Sequence, residues 1–106
     1  MKSAALLTTL LILACFSLPA SADIKAGEKA AQSCLMCHGE NGISKMPGTP
    51  SLAGQSEIYL ASQLKQFRDG KRHNEVMNVI AKPLSDADID NISAWFAQFE
   101  IELKKK

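Results

Sequence analysis

Cys34-Leu35-Met36-Cys37-His38 is the stretch of this sequence whose residue types and spacing could do chemistry on their own. Two thiols separated by two residues, with an imidazole directly after, make the C-x-x-C-H pattern by which haem c is attached. The spacing has a physical reason. The thiols must reach the two vinyl groups on one edge of a porphyrin and form thioethers; the next residue then carries its imidazole toward the iron. Two other chemistries use a cysteine pair. A thioredoxin-like redox motif needs a βαβ setting, and no strand pattern occurs in this chain. A zinc site needs four ligands, and only His73 could join Cys34, Cys37 and His38.

Haem iron bound by His38 has a further position to fill, for which Met36, Met46, Met77 and His73 are candidates. Met36 lies inside the attachment loop, whose covalent bonds direct it away from the distal side. Met46 follows His38 by eight residues, and a chain of that length could extend ~26 Å. It could round the ring only by pulling its loop off the proximal side. Met77 comes 39 residues after His38, so a whole helix has room to pack and turn first. It sits in a segment with Val76, Val79, Ile80 and Leu84 that would make a dry wall. His73 lies among Lys71, Arg72 and Asn74 and reads as a solvated loop residue. Met77 is the predicted distal ligand. A His/Met pair raises the reduction potential relative to two nitrogen ligands and leaves no open position for oxygen or substrate. Such iron exchanges single electrons.

The surrounding chain must position these groups with little material. It has 106 residues, 46% hydrophobic and 22% charged, with a formal net charge of +1. That bounds it to one domain and excludes a large layered enzyme, a strongly basic nucleic-acid binder and a disordered tail. Residues 1–22 read as a cleaved secretory signal peptide: Lys2, an apolar run from Ala4 to Leu18, then Pro19-Ala20-Ser21-Ala22 before Asp23. The run is shorter than the roughly 20 residues that span a bilayer. Ile12-Leu13-Ala14-Cys15 loosely imitates a lipoprotein cleavage site, but Leu13 stands where a small residue is usual. The domain is then 23–106, formally neutral and small enough that its own side chains stabilise it only marginally. An apolar porphyrin would supply the missing core.

The periodicity predicts an all-α fold of about four helices. Asp23 is a candidate N-cap for a first helix in which Ile24, Gly27, Ala30, Ala31 and Cys34 recur at three- and four-residue spacing. The small residues Gly27 and Ala31 suggest close contact with another helix. Residues 39–55 carry four glycines and two prolines and read as a long functional loop. A second helix runs from Ser56 to Asp69, with Leu60, Leu64 and Phe67 inward and Gly70 at its end. A short helix from Asn74 to Ala81 stops at Pro83. The last begins at Ser85, with Asp88 completing an approximate capping box. It carries Ile89, Ile92, Phe96, Phe99 and Leu103 on one face, and Lys104, Lys105 and Lys106 suit its negative end.

Taken together these residues resemble the class I c-type cytochromes, in particular a single module of the di-haem cytochrome c-four type. The likeness runs from about Asp23 to Phe99. It rests on Cys34-Leu35-Met36-Cys37-His38-Gly39, Pro50-Ser51-Leu52-Ala53-Gly54-Gln55, Tyr59-Leu60 with Gln63-Leu64, Phe67-Arg68-Asp69-Gly70, and Met77 ahead of Leu84-Ser85-Asp86. The resemblance implies one haem c on Cys34 and Cys37, with iron between His38 and Met77. It also implies that the Pro50 carbonyl accepts the His38 Nδ1 hydrogen bond and so fixes the ring. Gly27 and Trp95-Phe96 match a crossing of the first and last helices. The c-four proteins carry two modules where this chain has one, and Met46 lies in the loop leading to Pro50.

The expected role is a monomeric periplasmic electron carrier rather than an enzyme. The family suggests a quinol-oxidising cytochrome bc complex as donor and a terminal oxidase or periplasmic reductase as acceptor, with no nucleic-acid partner. Membrane association would come only through those complexes. A haem-based sensor or peroxidase-like protein with a labile distal site, and a cytochrome subunit of a larger oxidoreductase, are the alternatives. Residues 65–82 hold Lys65, Arg68, Lys71, Arg72 and Lys82 against Asp69 and Glu75. That stretch flanks Met77 and would steer the protein toward acidic faces of redox partners.

Overall fold

Four N-capping side chains set where the helices begin. The structure, a computed structural model, describes residues 1–6, 11–18 and 20–106. The Asp23 carboxylate accepts the Ala26 N–H and starts α1, Ile24–Ala30. The chain then tightens into a 3₁₀ turn, Ala31–Cys34, and relaxes into α2, Leu35–His38. Ser56 caps α3, Glu57–Arg68, and Asn74 caps α4, Glu75–Ala81. Ser85 and Asp88 form a full reciprocal capping box at the start of α5, Asp86–Ala97. Among the described residues there is no strand. With α1 and α2 joined through the 3₁₀ turn, the fold is four helical bodies.

The expected leader lies partly outside the described residues, which omit 7–10 and Pro19. Its described residues form no helix and its apolar side chains are exposed, Leu11 and Phe16 among them. Among the described residues no helix is long and apolar enough to cross a membrane.

The core forms where α1 crosses α5. Ala31, Leu60, Ile92, Trp95 and Phe96 are buried together, with Leu52, Leu64 and Phe99 packed against them. Gly27 makes the crossing possible: a Cβ there would stand 1.9 Å from the Asn91 carbonyl oxygen and 3.1 Å from the Trp95 Cβ. Trp95 meets Phe96 and Phe99 edge-on, with ring centroids 4.7 and 5.1 Å apart, the arrangement aromatic quadrupoles prefer. The Asp23 N–H donates to Asn91 Oδ1 and fastens the start of α1 to α5.

Two expectations are corrected at the edges. Ile24 is 43% exposed rather than inward. The last helix ends at Ala97, so Leu103 is exposed and Lys104 to Lys106 lie well beyond the helix terminus. The cause is a tertiary contact. The Gly54 N–H donates to the Phe96 carbonyl, and the chain after Ala97 folds back across Gly54. A Cβ at Gly54 would meet the Ile101 side chain at 2.5 Å and the Phe99 carbonyl at 3.0 Å.

Candidate functional site

The helices leave a cavity of about 310 Å³ between α2, the 39–55 loop, α3, α4 and α5. Cys34, Cys37, His38, Pro50 and Met77 all line it. The 3₁₀ turn and α2 hold the first three: Cys34 is half-buried, Cys37 exposed and His38 buried. Burial pushes the Cys34 thiol above its ordinary pKa, opposed by a hydrogen bond with the Ser33 side chain and reinforced by Cys37. The neutral thiol is thus the favoured form. Gly39 ends α2 at φ +84, where a Cβ would strike the Ile43 carbonyl. That left-handed turn brings the loop back beneath His38.

His38 Nδ1 lies 2.7 Å from the Pro50 carbonyl oxygen. A carbonyl can only accept, so Nδ1 carries the proton and Nε2 keeps its lone pair free for a metal. This contact fixes both the tautomer and the ring. Met77 reaches the same cavity from the first turn of α4. The other candidates do not. Met36 is 86% exposed, and neither Met46 nor His73 lines the cavity. Among the described residues no three His, Cys, Asp or Glu side chains converge to hold a metal ion.

The remaining wall is apolar, with Leu52, Leu60, Leu64, Phe67, Ile80 and Phe96. Polar groups stand among them: Gln55, Tyr59, Gln63, Arg72 and Ser93. Tyr59 and Gln63 are one turn apart on α3, a polar stripe beside the Leu60–Leu64–Phe67 stripe. Ser93 and Arg72 carry no such local signal, and sequence reasoning assigned neither a place here. The Arg72 guanidinium lies 4.6 Å from the Phe67 ring centroid and donates to Gln63 Oε1 at 2.6 Å. The Ser93 hydroxyl is fully buried and, among the described residues, has no hydrogen-bond partner. A small apolar cavity with two thiols and an imidazole at one wall, a thioether at another and an unpaired buried hydroxyl fits a flat, largely apolar metal–macrocycle with polar substituents.

The site and its frame are those of a small all-α haem-binding module. The sequence profile of cytochrome c matches residues 24–100, and the chain belongs to the cytochrome c family. Haem c attached through Cys34 and Cys37 follows from that membership. Cytochrome c-554(548) of Halomonas halodenitrificans is 41% identical over 81 residues, covering 74% of this chain and 98% of its own. The thiosulfate dehydrogenase electron acceptor of Thiomonas intermedia is 42% identical over 82 residues, covering 76% of this chain and 38% of its own. The solved cytochrome c4 of Acidithiobacillus ferrooxidans superposes with a TM-score of 0.70 at 32% identity, covering 74% of this chain and 51% of that one. This chain thus spans about half or less of the latter two and nearly all of the first.

The charge near the cavity differs from the sequence-local sum. Arg68 pairs with Asp86 at 2.7 Å and Asp69 at 3.0 Å, and Lys65 approaches Asp90 at 3.8 Å. The acidic start of α5 therefore offsets two of the five cations of 65–82. Among the described residues Lys71, Arg72 and Lys82 make no ion pair.

Proposed function

We propose that the protein is an exported mono-haem electron carrier whose iron is held between His38 and Met77. The observation that carries this reading is that His38, with Nε2 free, and Met77 line one apolar cavity beside the attachment cysteines. When bound, haem iron supplies a one-electron redox couple. The chain's residues supply the rest. Cys34 and Cys37 would tether the group, His38, oriented by Pro50, and Met77 would hold its iron, and Met77 would keep exogenous ligands away from it. The apolar wall excludes water, which favours the less charged reduced state. With His38 and Met77 both holding the iron, the protein would carry electrons rather than turn over a substrate.

Residues 1–22 act as a signal peptide cut before Asp23, which delivers the domain to the periplasm. One fact supports that boundary: Asp23 is the N-cap where the folded domain begins. The protein works as a monomer between larger redox complexes. A quinol-oxidising cytochrome bc complex is one donor class. A dehydrogenase of reduced inorganic sulfur is another, suggested by the Thiomonas relative's name. Acceptors are a terminal oxidase or a periplasmic reductase.

The test is Met77→Ala in the haem-loaded protein, followed by ferric absorption, midpoint potential and carbon monoxide binding. The far-red sulfur-to-iron band should vanish, the potential should fall and the ferrous protein should bind carbon monoxide readily. An unchanged spectrum and potential would remove Met77 from the iron. Ready carbon monoxide binding by the unsubstituted ferrous protein at neutral pH would favour a sensor or peroxidase-like role instead.

A further inference from the structure

Met77 sits on a helix that cannot hold its own position. Seven residues are too few for a helix to be stable alone. Val79 is 70% exposed and Val76, Met77 and Ile80 line the cavity, so packing of α4 against the rest of the protein rests chiefly on the buried Ala81. The residue beside Met77 supplies a substitute. Asn78 Nδ2 donates to the Phe67 carbonyl and to the Arg72 carbonyl, both at 2.8 Å. Asn78 Oδ1 accepts the Asn74 N–H at 2.9 Å. Both amide hydrogens are used, and the reverse orientation would set an oxygen against two carbonyls and an amino group against an N–H. The carboxamide thus has one orientation. It links α4 to the C-terminal turn of α3 and to the loop between them, in which Lys71 and Arg72 N–H groups donate to the Gln66 carbonyl.

We propose that Asn78 is the positioning residue for Met77: its three hydrogen bonds fix α4 so that the Met77 thioether stays in the cavity. The proposal rests on reading Met77 as the distal ligand. Asn78 does not line the cavity and acts through the helix alone. With the bonds removed, α4 gains freedom to shift, and the fraction of protein with Met77 withdrawn rises while the α1–α5 core is untouched. Each bond contributes modestly, but loss of two or three together corresponds to a change on the order of tenfold or more in that fraction.

Asn78→Ala and Asn78→Asp in the full-length haem-loaded protein test this. Asn78→Asp keeps the shape and the acceptor facing Asn74 but deletes both donors, and it carries the test if Asn78→Ala does not fold. Native far-ultraviolet dichroism is expected to persist. The far-red ferric band should weaken, and carbon monoxide association with the ferrous protein should accelerate on the order of tenfold. Wild-type band intensity and association rate would overturn the proposal, whatever the unfolding midpoint does. Met77→Ala run alongside separates the two claims. If it opens the iron while the Asn78 variants match wild type, only the positioning role fails. If it changes nothing, the ligand assignment itself fails.

Discussion

Substituting Gly27 by alanine isolates the contact on which the frame of the site depends. The new methyl carbon would stand 1.9 Å from the Asn91 carbonyl oxygen, where ordinary van der Waals contact begins at 3.4 Å. The obstacle is helix backbone, so no rotamer change relieves it; α1 must move off α5 by about 1.5 Å, the difference between those two distances. Overpacking of this kind costs about 1–3 kcal/mol. Alanine's better helix propensity returns about 0.5–1 kcal/mol. At the middle of both ranges the clash wins, leaving a net loss of about 1 kcal/mol, or a melting temperature lowered by about 4–8 °C for a domain of this size. Thermal unfolding of the haem-loaded protein by far-ultraviolet dichroism measures it. Glu28→Ala, one residue along and exposed, is the control and should stay within about 0.5 kcal/mol of wild type. An unchanged or raised melting temperature for Gly27→Ala would refute the close crossing.

Further outcomes follow from the caps, the ion pairs and the charge. Ser85→Ala removes one half of the capping box on α5 and should cost about 0.5–2 kcal/mol in equilibrium unfolding. Arg68 holds the Asp86 carboxyl below the usual carboxylate range, chiefly through their hydrogen bond. A depressed folded pKa stabilises above the unfolded value, so wild type should exceed Asp86→Asn in stability at neutral pH. That gap should close as the pH falls through the carboxylate range; a gap constant with pH would contradict it. Electron exchange with an acidic partner should slow as salt rises, and Lys71→Glu or Lys82→Glu should lower the rate at low salt. A salt-independent rate would dismiss steering.

Local signals carried much of this protein. The C-x-x-C-H run, the caps at Asp23 and Ser85, and the small residue at Gly27 each announce themselves within a few positions, because attachment, capping and close approach are short-range demands. What stayed hidden was set by distant partners. Nothing near Ala97 says that α5 stops there; the Gly54 N–H taking the Phe96 carbonyl decides it. Nothing near Lys65 or Arg68 shows that Asp90 and Asp86, on another helix, neutralise them. Asn78 reads locally as an indifferent polar residue in a short helix, and only the packing of α4 beside Phe67 and Arg72 gives its carboxamide work to do. Ser93 lies within the apolar run of α5, and only the cavity explains a buried hydroxyl there.

The intact mass of the exported protein after thiol alkylation shows whether Cys34 and Cys37 carry a haem. The expected product is a coloured chain beginning at Asp23, heavier by a single haem, with neither Cys34 nor Cys37 open to the alkylating reagent. A colourless, folded product from cells able to mature c-type cytochromes, alkylated at both cysteines, would contradict that attachment.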